Sequence, residues 1–146
     1  MIIKRKNIAC LLITPQKEFL LIQRNSKDDS LPGFWELPSG GIDEGEELEK
    51  CVQRETIEET GIDISKYDIK EVDSERYQFK KENGDIKDVV ETTFAVNIDE
   101  KTEVKLSEEH VDYQWISLKQ LDNVFDDKDD LIYRRIHRIF KKEKLN

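Results

Sequence analysis

Residues 40–62 read GGIDEGEELEKCVQRETIEETGI, and the interpretation of the whole chain starts from this stretch. It holds eight acids and two bases, so its net charge is −6. Apolar residues recur at helical spacing through 46–60, and Gly61 stands where a helix commonly ends. We therefore expect a helix over 46–60, with a buried stripe formed by Leu48, Cys51, Val52 and Ile57.

Three glutamates of this helix are spaced so that their carboxylates share one face. Glu55, Glu58 and Glu59 stand at i, i+3 and i+4. Such a cluster repels itself unless a cation neutralises it, and hard oxygen ligands suit Mg²⁺ or Mn²⁺ better than zinc. Arg54 is placed to reach Glu46 across the loop. On the carboxylates alone, the alternative interpretation is a solvated acidic helix face.

The composition favours one folded domain spanning residues 1–146. The net charge is −9, and charged residues make up 39% of the chain. Leu, Ile, Val and Phe together account for 42 of 146 residues, well above the ~20% typical of disordered chains. The acidic balance argues against a general binder of nucleic acid or membrane surfaces, because such polyanions repel it.

Compartment and assembly are only loosely constrained. Cys10 and Cys51 are the only cysteines and suggest no disulfide framework, so we expect a reducing, cytoplasmic location. No apolar run approaches the ~18 residues of a membrane span. The protein is expected to be a monomer or a homodimer.

The remaining pattern predicts strands on both sides of the central helix. Apolar runs predict strands at 8–13, 19–22, 69–79, 86–98 and 114–116, with an Asn83-Gly84 hairpin turn between the third and fourth. Residues 39–41 should break regular structure, and 117–120 has the form of a capping box that opens a short helix. A final amphipathic helix is expected over 129–144. The predicted fold class is α/β, a mixed sheet covered by helices.

The acidic stretch resembles the Nudix box, G-x5-E-x7-R-E-U-x-E-E-x-G-U, where U is a bulky aliphatic residue. Thr56 is the one departure, at an aliphatic position. The lead-in at 34–39 is similar to the family's W-x-L-P-G segment, with Ser39 in place of a glycine. Trp115 to Leu118 resembles the family's last strand and following helix. The matching box positions are Gly40, Glu46, Arg54, Glu55, Glu58, Glu59, Gly61 and Ile62.

The resemblance implies a Nudix-like α/β/α sandwich that hydrolyses a nucleoside diphosphate linked to another group, using Mg²⁺ or Mn²⁺. It makes Glu58 and Glu59 the principal metal ligands and Glu55 a ligand or base, with a further ligand from the Ser39 or Gly40 carbonyl. Arg54 and Glu46 orient the helix and loop, and Gly61 is structural. Glu109, in a later loop, matches the placement of an additional acid that many relatives use as base or ligand.

Substrate contacts are less sharply predicted. Arg24 and Lys27 are candidates for phosphate or base contacts, and Phe34 or Trp35 for stacking on a base. Tyr77 is expected to be a packing residue and His110 a surface histidine. The six basic residues at the C-terminus are expected to form the solvated side of the last helix: Arg134, Arg135, Arg138, Lys141, Lys142 and Lys144.

Several substrates and two other functions stay open. The expected substrate is a small nucleotide, such as a nucleoside triphosphate, a dinucleoside polyphosphate or a nucleotide sugar. The absence of proline after Pro38 lowers the case for ADP-ribose. A diphosphate isomerase or a non-catalytic nucleotide-sensing module would use the same fold. A P-loop phosphotransferase is disfavoured because its glycine-rich motif is missing.

Overall fold

A seven-stranded mixed β-sheet with helices on both faces forms the molecule. The structure is a computed structural model that describes residues 1–26 and 32–145. The strands are β1 (Ile2–Ile13), β2 (Glu18–Arg24), β3 (Trp35–Glu36), β4 (Ser39–Gly41), β5 (Lys70–Lys80), β6 (Ile86–Asn97) and β7 (His110–Ser117). The helices are α1 (Leu48–Thr60), α2 (Leu121–Val124) and α3 (Leu131–Lys142).

The centre of the sheet is a long parallel pairing of β1 with β6, which runs from Ile2↔Ile86 to Ile13↔Asn97. Antiparallel neighbours extend the sheet on both sides, giving the order β3-β2-β1-β6-β5, with β7 on β2. On its other edge β1 meets β2 at Ile13↔Phe19, while its residues 7–9 pair with β4. The short strands β3 and β4 therefore lie where β1 and β2 diverge.

The alternation of side chains along β1 divides the apolar core into two layers. Ile8, Cys10 and Leu12 face one cluster, which includes Cys51 and Val52 of α1. Ala9, Leu11 and Ile13 face the other, which includes Ile136, Ile139 and Phe140 of α3. Successive side chains of a strand point to opposite faces of the sheet. The α/β/α sandwich expected from the sequence is thus confirmed, with α1 and α3 as its outer layers.

Helix α1 has the expected C-terminal end but a different buried face. Gly61 has a φ of 75° and its N–H bonds the Ile57 carbonyl, which is the left-handed stop that glycine permits. The prediction that Ile57 belongs to the buried stripe was wrong, because Ile57 is 45% exposed and Thr56 is fully buried in its place. Thr56, which stands where the box pattern has an aliphatic residue, therefore has a small side chain that the core accommodates.

Turn signals in the sequence predicted the connections between elements well, but the predicted ends of the strands were less accurate. The Asn83-Gly84 turn joins β5 and β6, and Gly84 has a φ of 90°. The capping box at Ser117 and Gln120 is formed and opens a 3-10 turn that leads into α2. Residues 39–41 were expected to be irregular, but they pair with β1 as β4. Strand β1 also starts six residues earlier than predicted, because β6 offers a paired edge to its polar half.

The basic face of helix α3 is only partly solvated: Arg134, Lys141, Lys142 and Lys144 are exposed as expected, whereas Arg135 and Arg138 are not. Arg135 is fully buried: its Nε and Nη2 donate to Glu75 at 3.1 and 2.9 Å, and its Nη1 pairs with Glu91. Arg138 donates to both carboxylate oxygens of Asp73, at 2.9 and 2.8 Å. These ion pairs fix α3 across β5 and β6.

No helix among the described residues is long and apolar enough to cross a membrane.

We expect Arg135→Met to lower the free energy of unfolding by about 3 kcal/mol, because the substitution leaves the buried Glu91 carboxylate without its cation and leaves Glu75 with Arg138 alone. Urea denaturation at neutral pH measures this loss. Arg134 is exposed on the same helix, so Arg134→Met is the matched control and should change stability by less than about 0.5 kcal/mol. Equal effects of the two substitutions would contradict a supporting role for the buried pair.

Candidate active site

Arg54 connects the acidic face of α1 to the loop before it. Its guanidinium donates to Glu46 at 2.8 and 2.9 Å, to the Gly41 carbonyl at 3.2 Å, and to Glu55 and Glu58 at 2.9 and 3.2 Å. The bond from Arg54 is the main cause that lowers the pKa of Glu46 to about 2. The predicted contact between Arg54 and Glu46 is therefore formed, and the same cation partly neutralises the glutamates that share its helix face.

The Glu55 carboxylate lies directly against the backbone of Gly40. A Cβ atom added at Gly40 would come within 2.1 Å of the Glu55 Cδ. Any side chain at position 40 would therefore have to displace the Glu55 carboxylate. Burial is the main cause that raises the pKa of Glu55, and the nearby charges of Glu58 and Glu109 add to it. Glu55 is thus a carboxylate that is held in place and poorly hydrated.

Glu59 is the most buried carboxylate of the cluster. Its Oε1 accepts a 2.7 Å hydrogen bond from the Ser39 N–H, which ties α1 to β4. Desolvation is the main cause that raises its pKa to about 9, and the charges of Glu36, Glu55 and Glu109 raise it further. A buried carboxylate surrounded by like charges is a group for which a bound cation is favourable.

Glu109 is brought to this cluster by the pairing of β7 with β2. The register shifts at Gln23/Arg24, so that Arg24 pairs with His110, and the Asn25 N–H bonds the Glu109 carbonyl at 2.8 Å. One ligand atom each from Glu59, Glu109 and His110 lies within 4.8 Å of the other two. The loop acid predicted from the sequence therefore faces the glutamate face of α1.

His110 differs from the surface residue that was expected. Its side chain is fully buried, and its Nε2 lies 2.9 Å from the Glu36 Oε2. Arg24 donates from Nε to the other Glu36 oxygen at 3.1 Å, so Glu36 links Arg24 to His110. Sequence reasoning missed Glu36 and His110 because their pairing joins residues 74 positions apart. No periodic pattern reports such a contact.

The carboxylates open into a cleft of about 790 Å³ on the sheet face covered by α3. Ser39, Gly40, Glu55, Glu59 and Glu109 line it at one end. Glu58 does not line the cleft; it is 55% exposed and paired with Arg54. The structure thus groups Glu55, Glu59 and Glu109 around the cleft and places Glu58 at its outer side.

The predicted substrate residues lie along the same cleft. Arg24, Phe34 and Trp35 all line it. Phe34 is half exposed, whereas Trp35 also packs against the core on the α3 side. Tyr77, expected only to pack, lines the cleft as well. Lys27 lies outside the described residues.

The donor set of this cluster fits a hard divalent cation. Carboxylate oxygens and backbone carbonyls are the ligands that Mg²⁺ and Mn²⁺ prefer, and both buried carboxylates have raised pKa values in the absence of a cation. A compact group of acids beside a glycine-bounded loop, opening into a cleft, is an arrangement suited to a metal-bound polyphosphate.

Comparison with known proteins agrees with this geometry. Residues 3–137 match the family described as the NUDIX domain. This chain belongs to the Nudix family. The nucleoside triphosphatase NudI of Escherichia coli O139:H28 is 27% identical over 121 residues, covering 81% of this chain and 86% of that protein. The family relationship supports a pyrophosphohydrolase, and Nudix hydrolases generally use a divalent metal.

Two solved structures extend the comparison over almost the whole fold. A MutT protein from Methanosarcina mazei Go1 superposes with a TM-score of 0.80 and 26% identity, covering 97% of this chain and 96% of that one. The dihydroneopterin triphosphate pyrophosphohydrolase of E. coli gives a TM-score of 0.74 at 16% identity, covering 95% and 99%. The second likeness shows the Nudix fold alone.

We expect Gly40→Ala to reduce the hydrolytic activity of this Nudix enzyme at least tenfold, because the new methyl group must displace the Glu55 carboxylate. Steady-state kinetics with a nucleotide that the wild-type enzyme hydrolyses would show the loss mainly in kcat. Gly41→Ala is the matched control, since a Cβ there meets only the Asn7 side chain at 3.5 Å. Comparable losses in both variants would contradict a specific role for the contact between Gly40 and Glu55.

The raised pKa of Glu59 predicts how metal-free stability depends on pH. Between the ordinary carboxyl pKa near 4.5 and the folded value of about 9, the folded state keeps a proton that the unfolded state has lost. Stability from this group therefore decreases as pH rises, by at most about 1.4 kcal/mol per pH unit.

Urea denaturation in EDTA at pH 5, 6.5 and 8 measures this slope. We expect Glu59→Gln to flatten it, whereas Glu49→Gln, at an exposed position of the same helix, should leave it unchanged. Parallel slopes for wild type and Glu59→Gln would show that Glu59 is ionised in the folded protein.

Proposed function

We propose that residues 1–146 form a single Nudix hydrolase domain that cleaves a nucleoside triphosphate or a related nucleoside diphosphate derivative in a Mg²⁺-dependent reaction. The observation that carries this proposal is the convergence of Glu55, Glu59 and Glu109 at one end of a cleft lined by aromatic and basic side chains. The name of one relative, the nucleoside triphosphatase NudI, favours a nucleoside triphosphate as the substrate. Both cysteines are free and buried, which is consistent with a cytoplasmic location.

The residues that would hold the cation are those that line the acidic end. Glu55, Glu59 and Glu109 supply carboxylate oxygens, and Ser39 and Gly40 supply backbone carbonyls at the same edge of the cleft. Glu58 adds a carboxylate at the outer side. When bound, the cation neutralises charge that develops on the diphosphate and lowers the pKa of a water nucleophile. Mn²⁺ offers the same coordination preferences and is the expected substitute.

The side chains themselves position the reacting groups and move the proton. Glu55 is fixed between Arg54 and Gly40, and Glu109 lies on the loop that β7 holds against Arg24. Both face the cleft, so each is placed to accept a proton from the attacking water. Arg24 lines the cleft while its Nε is held by Glu36, which makes it the candidate contact for a substrate phosphate. Phe34 is exposed at the rim and is the candidate stacking partner for a base.

The test is hydrolysis of a nucleotide panel with Mg²⁺ or Mn²⁺, followed by release of phosphate or pyrophosphate and by chromatography of the nucleotide product. We expect Glu59→Gln to reduce kcat at least 100-fold, because it removes a charged ligand from the centre of the acidic end. Glu49→Gln, on the same helix but remote from the cleft, should retain wild-type activity.

Two outcomes would overturn the proposal. Full activity of Glu59→Gln would remove the acidic end from the mechanism. Nucleotide binding with no product, or rearrangement of a diphosphate without release of phosphate, would instead indicate a sensing module or an isomerase. The pH–rate profiles of Glu55→Gln and Glu109→Gln identify the proton acceptor, because the variant that lacks this residue loses the acidic limb of its profile.

A further inference from the structure

The far end of the cleft has the opposite charge from the end that holds the glutamates. Arg5 of β1 and Lys87 of β6 line this end and come from neighbouring strands, where Ile3 pairs with Lys87 and Arg5 with Val89. Odd-numbered residues of β1 face the cleft, since Arg5, Asn7 and Ala9 all line it. A protein with a net charge of −9 thus places two cations at one end of this cleft.

The acids of this part of the cleft are already engaged elsewhere. Glu91 is paired with the buried Arg135, and the Asp130 carboxylate caps α3 by accepting from the Ile132 and Tyr133 N–H groups. Within residues 1–26 and 32–145, neither Arg5 nor Lys87 has an ion-pair partner. Burial lowers the pKa of Lys87, and the charges of Lys81 and Arg5 lower it further, as expected where positive charge is uncompensated.

An aromatic shelf lies beside these cations. The rings of Tyr77 and Phe79 stack with centroids 6.3 Å apart and an interplanar angle of 18°. The Lys87 Nζ lies 5.9 Å from the Phe79 ring centroid. Both rings line the cleft, so a planar group that rests on them places its substituents next to Lys87.

The spacing along β1 separates the two ends by about the length of a nucleoside. Gly40, at the acidic end, pairs with Ile8, and Arg5 lies three residues further along the strand. At ~3.3 Å per residue this is roughly 10 Å, and Lys87 lies beyond it. A single nucleotide can therefore contact both ends at once.

We propose that Arg5 and Lys87 form an anion subsite that binds a phosphate of the substrate not engaged at the acidic end. This inference rests on the proposed function, because it assigns the acidic end to the scissile diphosphate. The chemical class is a nucleotide with a further phosphate, carried either on the ribose or at the far end of the polyphosphate chain. Two adjacent cations beside a ring shelf suit such a group, since each charge-assisted hydrogen bond is about twice as strong as a neutral one.

The test uses the wild-type protein in EDTA, where no metal can attract phosphate to the glutamates. Isothermal titration calorimetry compares AMP with adenosine. We expect AMP to bind at least tenfold more tightly, and Arg5→Gln/Lys87→Gln to abolish the difference. Lys4→Gln/Lys6→Gln is the matched control: it removes the same charge from the other face of β1 and should keep the preference.

The possible results separate this inference from the proposed function. Equal binding of AMP and adenosine, or an equal loss in both double variants, would overturn the subsite, whereas Mg²⁺-dependent hydrolysis would still stand on its own assay. Adenosine 3′-monophosphate distinguishes the two sources of phosphate. Tighter binding than AMP indicates a phosphate on the ribose, and weaker binding indicates the polyphosphate chain. Lys87→Gln alone, at a half-buried strand position, should lose part of the preference if the subsite exists.

Discussion

The contacts of Arg54 are the constraint on which the candidate active site depends. One guanidinium binds a loop acid, a loop carbonyl and two glutamates of its own helix, so it holds the acidic face of α1 against β4. Without a fixed cation at this point, Glu55 and Glu58 would repel each other and the Glu46 carboxylate would lose its two hydrogen bonds from Arg54. The helix can present several like charges to a cleft because a permanent positive charge stands beside them. Specific placement of repelling groups is thus achieved before any ligand is present.

The cleft is electrically polarised along the direction of β1. Its acidic end lies beside β4, where β1 and β2 diverge, and its basic end consists of side chains of the continuous β1–β6 pairing. The network of Arg135 with Glu75 and Glu91 separates the two ends by satisfying the acids between them. The overall charge of −9 therefore describes the surface poorly, since the cleft contains local fields of both signs.

The sequence predicted the parts of the site that depend on local spacing. Glu55, Glu59 and the bond from Arg54 to Glu46 follow from helical periodicity and a short loop, and the structure places them as expected for local geometry. It could not predict the burial of His110 and Arg135. Each has the sequence context of a solvated polar residue. Each is buried beside an acidic partner that is distant in the sequence: Glu36 lies 74 positions from His110, and Glu91 lies 44 positions from Arg135. The prediction for Ile57 was wrong for a related reason. Helical periodicity leaves open which of two neighbouring positions faces the core, and packing of α1 against the sheet buries Thr56 and leaves Ile57 exposed.

The parallel pairing of β1 with β6 also has consequences for how the chain folds. Each pair joins residues 84 positions apart, so the central ladder can form only after most of the chain is available. Until then the apolar run at 8–13 has no permanent neighbour on that edge, which exposes a nascent chain to association with its copies. The segment at 40–62 follows soon after and carries a charge of −6. The same glutamates that line the mature cleft therefore give unfinished chains a negative charge that opposes their association.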